Sequence, residues 1–251
     1  MLSGKIALIT GGGSGIGRAT CEVVARERAY VVVADKVLAV ADETVKLLPG
    51  NNHISIYMDV SNESSVENAF KAIVYHYNAP PTLVVNSAGC GSMVPPLGIT
   101  KEQLYEVFDV NVMGTLNVCQ LISKELIKNK SQGSIVNVGS IVTNKVLIPS
   151  SLGYNASKAV VEQITRAFAG EMAKYNIRFN VVLPGFIDTP LLRQATTPDI
   201  INNLVSSCAF ERLGKPHEVA EVISFLLSDR SSFVHGTSIE VSGGQPTKNF
   251  S

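Results

Sequence analysis

The chain has 251 residues, of which 45% are hydrophobic and 17% charged, and 21 Lys and Arg balance 21 Asp and Glu to a formal net charge of zero. This composition excludes intrinsic disorder and argues against a nucleic-acid-binding protein built on a broad basic face. The length fits one domain, and no apolar run reaches the ~18–20 residues that a membrane-spanning helix needs.

Strand-like and helix-like segments alternate along the chain. The predicted elements are, in chain order, strand 5–10, helix 15–28, strand 30–34, helix 37–48, strand 53–60, helix 62–77, strand 82–86, helix 101–128, strand 133–138, helix 154–175, strand 177–183, helix 216–227 and strand 237–241. This alternation predicts βαβ units and a mainly parallel sheet within a single α/β domain, residues 1–251.

Two local features accompany this pattern. Ser61 precedes helix 62–77 and is its expected N-cap. Residues 184–215 are the one long irregular stretch, with a short helix expected at 200–208. Because irregular stretches of that length in compact domains are usually functional, residues 184–215 are predicted to form a substrate lid.

A glycine-rich turn follows the first strand and leads into the first helix. It reads Thr10-Gly11-Gly12-Gly13-Ser14-Gly15-Ile16-Gly17. Glycines at this position let the backbone approach a pyrophosphate, whose charge the helix N-terminus stabilises. The strand–turn–helix context favours nucleotide binding over a turn that serves only packing.

Asp35 follows the second predicted strand and bears on the choice of cofactor. A carboxylate at this place accepts hydrogen bonds from the adenosine ribose hydroxyls and repels a 2′-phosphate. Lys36 partly offsets that repulsion, but Ser14 is uncharged. The cofactor is therefore predicted to be NAD in preference to NADP.

Tyr154 and Lys158 are four residues apart on a predicted helix and share one face. An ammonium beside a phenol lowers the phenol's pKa from its usual value of about 10, which makes Tyr154 a candidate general acid–base. The alternative is an exposed helix pair. Position favours catalysis, because the pair follows the fifth strand and the carboxyl ends of such strands line the ligand crevice.

The cysteines and histidines have no spacing typical of a metal site. Cys21, Cys90, Cys119 and Cys208 form no C-x-x-C pair, and the four histidines form no H-x-x-x-H. The sequence thus predicts no metal and free thiols in a reducing compartment. The first residues lead directly into a strand, so no targeting segment is expected.

Taken together, the ordered motifs resemble those of the short-chain dehydrogenase/reductase family over essentially the whole chain. The motifs are residues 10–17, Asp59-Val60, Asn86-Ser87-Ala88-Gly89, Asn111, Ser140, Tyr154 with Lys158, and residues 184–189. The C-terminal half resembles the 3-oxoacyl-acyl-carrier-protein reductases and the type 8 group of 17-beta-hydroxysteroid dehydrogenases, NAD-using relatives linked to steroids and mitochondrial acyl chains. The resemblance implies a Rossmann-type, doubly wound, mainly seven-stranded parallel sheet with helices on both faces.

The resemblance also implies the catalytic roles. Tyr154 would donate or accept the proton, and Lys158 would hold the nicotinamide ribose and lower the pKa of Tyr154. Ser140 would bind the substrate oxygen. Asn111 would hold a proton-relay water, although asparagines within helices also tie the backbone through their amides.

The cofactor site follows from the same resemblance. Its expected residues are Gly11, Ser14, Gly15, Ile16, Gly17, Asp35, Lys36, Asp59, Val60, Asn86, Ala88, Gly89, Tyr154, Lys158, Ile187 and Thr189. Asp59 is equally well explained as a turn or cap residue. Two departures from the family pattern stand out, namely Ser87 in place of asparagine and one extra residue between Ser140 and Tyr154.

The expected activity is NAD(H)-dependent interconversion of a secondary alcohol and a ketone, either a 3-hydroxyacyl/3-oxoacyl thioester on acyl carrier protein or coenzyme A, or a 17-beta-hydroxysteroid. The alternatives are a dehydrogenase for another alcohol, such as a sugar or retinoid, and a non-catalytic nucleotide-binding scaffold. Four intact catalytic positions argue against the scaffold. The resemblance further implies a homotetramer or dimer, and a mitochondrial matrix or cytoplasmic location.

Two surfaces bear on the substrate. Apolar residues at 146–148 and at Phe186, Leu191, Leu192 and Ile201 would suit a steroid or an acyl chain, or would pack the lid on the core. A second set, Lys128, Lys130, Lys174 and Arg178, would form either a docking surface for an acidic carrier protein or a solvated face.

Overall fold

The computed structural model describes residues 2–91, 93–143 and 150–245. Within these ranges the strands are β1 Ile6–Thr10, β2 Tyr30–Asp35, β3 Ile54–Tyr57, β4 Leu83–Asn86, β5 Gly133–Val138, β6 Ile177–Pro184 and β7 Ser238–Val241. All are parallel neighbours in one sheet of order β3-β2-β1-β4-β5-β6-β7. The chain builds outward from β1 to β3 and returns to β4 beside β1, so the predicted doubly wound, Rossmann-type sheet is confirmed.

Helices cover both faces of this sheet. In the described part of the chain they are α1 Gly15–Arg26, α2 Leu38–Leu47, α3 Glu63–Tyr77, α4 Lys101–Phe108, α5 Gly114–Lys128, α6 Leu152–Met172, α7 Pro190–Ala195, α8 Pro198–Ser206 and α9 Pro216–Leu227. Apolar residues of α1 and α9 pack on one face, and those of α3, α5 and α6 on the other. None of these helices is long and apolar enough to cross a membrane.

The unbroken apolar run of β2 follows from this sandwich. Val31 and Val33 enter the core beneath α1 and α9, whereas Val32 enters the core beneath α3 and α5. Successive strand residues point to opposite faces, so a central strand covered on both sides must be apolar at every position.

The predicted helix 101–128 is interrupted in the structure. Helix α4 ends at Phe108, a π-helical segment spans Asp109–Met113, and α5 begins at Gly114. Apolar periodicity runs through all three pieces, which is why the sequence predicts one helix. The π segment changes the hydrogen-bonding pattern at Asn111, and such segments are often found at functional sites.

The stretch predicted to be irregular, residues 184–215, contains two helices. Helix α7 begins after Thr189 and α8 after Thr197, and in each the threonine side chain caps the helix while proline follows at the first helical position. Helix α8 covers 198–206, close to the short helix expected at 200–208. Helix α7 was not predicted, although its Thr-Pro pair is an N-terminal signal.

The expected N-cap of α3 is wrong by one residue. Asn62, not Ser61, caps the helix, because its side chain accepts a hydrogen bond from Ser65 N. The Ser61 N–H and hydroxyl both donate to Asp59 Oδ1. Because Ser61 is hydrogen-bonded to Asp59, the following residue, Asn62, caps the helix instead.

Candidate active site

A cleft of about 650 Å³ opens at the carboxyl ends of the central strands. Most of the predicted site residues line it, namely Gly11, Ser14, Gly15, Ile16, Asp35, Lys36, Asp59, Val60, Ala88, Gly89, Ser140, Tyr154, Lys158, Ile187 and Thr189. The predicted residues Gly17, Asn86 and Asn111 do not reach its surface. This is the edge at which open α/β sheets bind ligands.

The glycine turn lets two backbone segments come close together. Gly11 and Gly15 have φ of 63° and 52°, which favours glycine. A Cβ at Gly11 would lie 2.8 Å from Ala88 Cα, so no side chain fits there. Gly17 packs directly beneath the backbone of Gly11 and supports the turn from behind. The resulting cradle, with the N-terminus of α1 facing the cleft, has the shape and polarity that suit a pyrophosphate.

Asp35 ends β2 with its carboxylate held at the cleft. Its Oδ2 accepts a hydrogen bond from Gly13 N, and its Oδ1 accepts one from Val37 N, each at 3.0 Å. A carboxylate oxygen accepts more than one hydrogen bond, so both oxygens retain capacity for ribose hydroxyls. The neighbouring Lys36 is exposed at the cleft edge.

Asp59 is a turn residue that also lines the cleft. Its Oδ1 accepts hydrogen bonds from Ser61 N at 3.0 Å and Ser61 Oγ at 2.6 Å, as expected of a turn residue. The same residue, with Val60, forms part of the cleft wall. The turn thus places Asp59 where an adenine contact is expected.

Ser140, Tyr154 and Lys158 come together at the other end of the cleft. The Ser140 and Tyr154 hydroxyls are hydrogen-bonded, so the extra residue between them does not separate the pair. Lys158 Nζ donates to the Val138 carbonyl at 2.8 Å and lies 5.7 Å from the centre of the Tyr154 ring. Strand β5, the residues directly after it and helix α6 supply these groups, which fixes their spacing.

The electrostatics of this trio differ from the prediction that Lys158 lowers the pKa of Tyr154. Burial raises the pKa of the Tyr154 phenol, and the hydrogen bond from Ser140 only partly opposes it. The ammonium lies over the Tyr154 ring, 5.7 Å from its centre. Burial also lowers the pKa of Lys158 to about 8. In this structure desolvation is therefore the largest cause of the shift at both groups.

Asn111 supports the cleft from behind. Its Oδ1 accepts from Cys90 N, and its Nδ2 donates to the Cys90 carbonyl and to Ser157 Oγ, all at 2.9 Å. The amide thereby joins the π segment to the loop after β4 and to α6. Its backbone carbonyl accepts from the Thr115 hydroxyl at 2.7 Å. The backbone-tying role weighed for Asn111 is thus present in the structure.

Asn86, which was expected beside the cofactor ribose, does not line the cleft. Its Nδ2 donates to Asn137 Oδ1 at 2.8 Å and to Cys119 Sγ at 3.4 Å. Because Asn86 pairs with Asn137 across β4 and β5, both side chains point to the face covered by α5. The register of this strand pair therefore directs the amide into the core, where it is buried.

The sequence reasoning missed part of the cleft wall. Cys90, Gly91 and Met93 line it from the loop after β4, and Ser151 lines it at the start of α6. A Cβ at Gly91 would lie 2.9 Å from Tyr154 Cδ2, so this glycine makes room for the tyrosine ring. The available signal was position alone, since this loop follows the carboxyl end of a central strand.

Of the two surfaces proposed for substrate recognition, the apolar one lies partly in the cleft and the basic one lies away from it. Phe186, Leu191 and Leu192 line the cleft, Ile201 does not, and residues 146–148 lie outside the described residues. The basic set is at the opposite edge of the sheet. Lys128 ends α5 and Lys174 follows α6, both beside the amino ends of β5 and β6. Arg178, near the start of β6, donates to the Val234 and Ser228 carbonyls. Because the amino ends of the strands lie opposite the cleft, a carrier protein docked on these residues would be remote from it.

Comparison with known proteins places the chain among oxidoreductases. Residues 11–245 match a family model described as enoyl-(acyl carrier protein) reductase. The chain is 37% identical to a human (3R)-3-hydroxyacyl-CoA dehydrogenase, covering 97% of this chain and 96% of that protein. It is 38% identical to a 3-oxoacyl-[acyl-carrier-protein] reductase of Thermotoga maritima, covering 97% and 98%. The structure of a Brucella melitensis 3-ketoacyl-(acyl-carrier-protein) reductase complexed with NADH is similar, with a TM-score of 0.90, 30% identity and coverage of 97% and 99%.

Proposed function

This chain is a member of the short-chain dehydrogenase/reductase family and an oxidoreductase, and we propose that it interconverts 3-hydroxyacyl and 3-oxoacyl thioesters with NAD(H). The observation that carries the proposal is the hydrogen-bonded Ser140–Tyr154 pair beside Lys158, in the same cleft as the glycine turn. The names of the relatives support the substrate class, because two of them act on 3-hydroxyacyl or 3-oxoacyl groups.

The residues fit a dinucleotide. The glycine turn and the N-terminus of α1 would hold its pyrophosphate, Asp35 its adenosine ribose, and Ile187 and Thr189 its carboxamide end. The nicotinamide, when bound, supplies or accepts the hydride. The protein's own task is to orient the substrate and to move one proton.

Tyr154 is the proposed proton donor for ketone reduction. A raised pKa keeps its phenol protonated at neutral pH, as an acid requires. Ser140 hydrogen-bonds the substrate oxygen and stabilises the negative charge that develops there. Lys158 holds the nicotinamide ribose, and Asn111 secures the loop that forms the wall beside Tyr154.

Residues 184–215 are the proposed substrate lid of a single domain. Phe186, Leu191 and Leu192 give its inner side an apolar surface suited to an acyl chain. The same apolar surface favours a 17-beta-hydroxysteroid as the second candidate substrate. We further propose a homotetramer and the mitochondrial matrix or cytoplasm as its location, both from the family relationship.

A direct assay separates the two substrates. NADH oxidation is followed by absorbance with acetoacetyl-coenzyme A and, in parallel, with estrone. We expect faster turnover of the thioester. Turnover of estrone alone would replace the proposed substrate class, and no turnover of either would favour a dehydrogenase for another alcohol.

The preference for NAD is tested at Asp35. In Asp35→Ala the charge that repels a 2′-phosphate is lost, so the ratio of kcat/KM for NADH over NADPH should fall about tenfold or more. Glu43→Ala, at an exposed carboxylate of α2, is the control. An unchanged ratio in Asp35→Ala would remove this carboxylate from the cofactor argument.

A further inference from the structure

Gln245 is a buried polar residue beyond the end of β7. Only 4% of it is exposed, although glutamine is seldom buried. Its Oε1 accepts a hydrogen bond from Phe186 N at 2.9 Å, and its Nε2 donates to the Leu204 carbonyl at 3.2 Å. One side chain therefore joins Phe186, near the start of the lid and four residues before α7, to a residue of α8.

The chain around Gln245 fits closely against both ends of this connection. Gly185 N donates to the Val241 carbonyl at 3.0 Å. A Cβ at Gly185 would lie 2.5 Å from Gln245 Oε1, so only glycine leaves room for the amide. At the far end of α8, Cys208 Sγ donates to the Gly243 carbonyl at 3.1 Å. The segment after β7 thus holds the lid at two separate points.

The Phe186 backbone transmits this hold to the cleft. Its N–H bonds Gln245, and its carbonyl accepts from Gly214 N at 2.9 Å, so the chain is fixed on both sides. Phe186 and Ile187 line the cleft directly. Thr189, two residues after Ile187, caps α7 and packs against Gly15. A Cβ at Gly15 would lie 3.3 Å from Thr189 Cγ2. A shift at Phe186 therefore moves the wall that faces both substrate and cofactor.

We propose that Gln245 is a positioning residue that holds the substrate lid in register with the sheet and thereby sets the affinity for substrate. The proposal rests on the proposed function, in which residues 184–215 cover the substrate. Gln245 touches neither substrate nor reacting atoms. Its loss is expected to raise KM while leaving kcat nearly unchanged, because Ser140 directly after β5 and Tyr154 and Lys158 on α6 keep their places.

The experiment compares Gln245→Met with wild type and with Gln132→Met, a matched change at an exposed residue before β5. Methionine has a side chain of similar length, but it cannot donate the hydrogen bond to the Leu204 carbonyl or replace the amide oxygen that accepts from Phe186 N. In Gln245→Met we expect KM for acetoacetyl-coenzyme A to rise about tenfold with kcat within about twofold, the effect of losing two buried hydrogen bonds. In Gly185→Ala the added Cβ would lie 2.5 Å from this amide oxygen and 2.8 Å from Ser242 Cα, so KM should rise at least as much.

Amide hydrogen exchange provides a readout that needs no turnover. Exchange at Phe186 and over α8 should accelerate in Gln245→Met and not in Gln132→Met, while β5 and α6 stay protected. Unchanged exchange, or a fall in kcat at constant KM, would overturn the proposal. If wild type lacks thioester activity but exchange still accelerates in Gln245→Met, the proposed function is wrong, whereas the role of Gln245 in positioning residues 184–215 is supported.

Discussion

Tyr154 provides the most direct test of the chemistry at the level of single residues. Tyr154→Phe removes the proton that the hydroxyl would donate but keeps the ring that packs against Gly91. Turnover should fall by about 10²–10⁴-fold, the usual contribution of a general acid, with NADH binding nearly unchanged. NADH oxidation and the emission of bound NADH measure the two effects.

The matched control is Tyr75→Phe, at an exposed tyrosine of α3. Near-normal activity of Tyr154→Phe would refute the proposed mechanism. Loss of NADH binding together with activity would instead indicate that the hydroxyl serves the cofactor site.

Lys158 gives a prediction about pH. Its pKa is lowered by burial to about 8 in the fold, whereas the unfolded chain has the ordinary value of about 10.5. Between these values the unfolded chain binds more protons, so the lysine's contribution to the free energy of unfolding rises with pH. Below pH 8 the fold bears the whole cost of the buried charge.

Urea unfolding of wild type and Lys158→Met at pH values from 7 to 10.5 measures this contribution. The difference should shift in favour of wild type by on the order of 3 kcal/mol across that range, since one pKa unit is worth about 1.4 kcal/mol. Groups common to both proteins cancel in the comparison. Lys46→Met, on the surface of α2, is the control, and a difference independent of pH would contradict the burial argument.

Residue type and order sufficed to predict the pair Tyr154 and Lys158, the glycine turn and Asp35 as residues of one cleft. The balance between burial and charge at Tyr154 was not predictable in this way, because spacing along a helix says nothing about desolvation. The direction of the Asn86 side chain was not predictable for a related reason. The end of a strand has two faces, and only the pairing with Asn137 shows which one the amide takes.

At the level of secondary structure, Asn111 connects three elements. Asn111→Ala removes hydrogen bonds to the Cys90 N–H and carbonyl and to Ser157 Oγ. Since a buried group left unpaired costs about 1–3 kcal/mol, the free energy of unfolding should fall by about 2–4 kcal/mol. Activity should fall as well, because the Cys90–Gly91 loop forms the wall beside Tyr154.

Urea denaturation checks this against Asn129→Ala, whose exposed amide caps only the Glu125 carbonyl at the end of α5. A loss of activity without loss of stability in Asn111→Ala would assign Asn111 to proton relay alone. The π segment that positions Asn111 was not predicted from the sequence. Hydrophobic periodicity does not distinguish a long regular helix from one that contains a π-helical turn. Helix α7 was missed although Thr189-Pro190 is a clear start signal.

For the whole molecule, the sheet order brings distant parts of the sequence to one cleft. The glycine turn follows β1, Asp35 ends β2, Tyr154 follows β5 and Thr189 follows β6. A ligand in this cleft contacts both halves of one continuous sheet. The alternation of strands and helices in the sequence was enough to predict this sheet. That the basic residues lie away from the cleft became evident only from the positions of α5 and α6 in the structure.

This arrangement predicts that cofactor binding stabilises the whole fold as one cooperative unit. At 100 times its dissociation constant, NADH should add about 2.7 kcal/mol, or raise the Tm by about 5–10 °C for a chain of this size. NADPH at the same concentration should raise it less, because the proposed role of Asp35 is to repel a 2′-phosphate. Circular dichroism and tyrosine emission should report one shared transition. A melt in two steps, of which NADH shifts only one, would show that the halves of the sheet unfold separately.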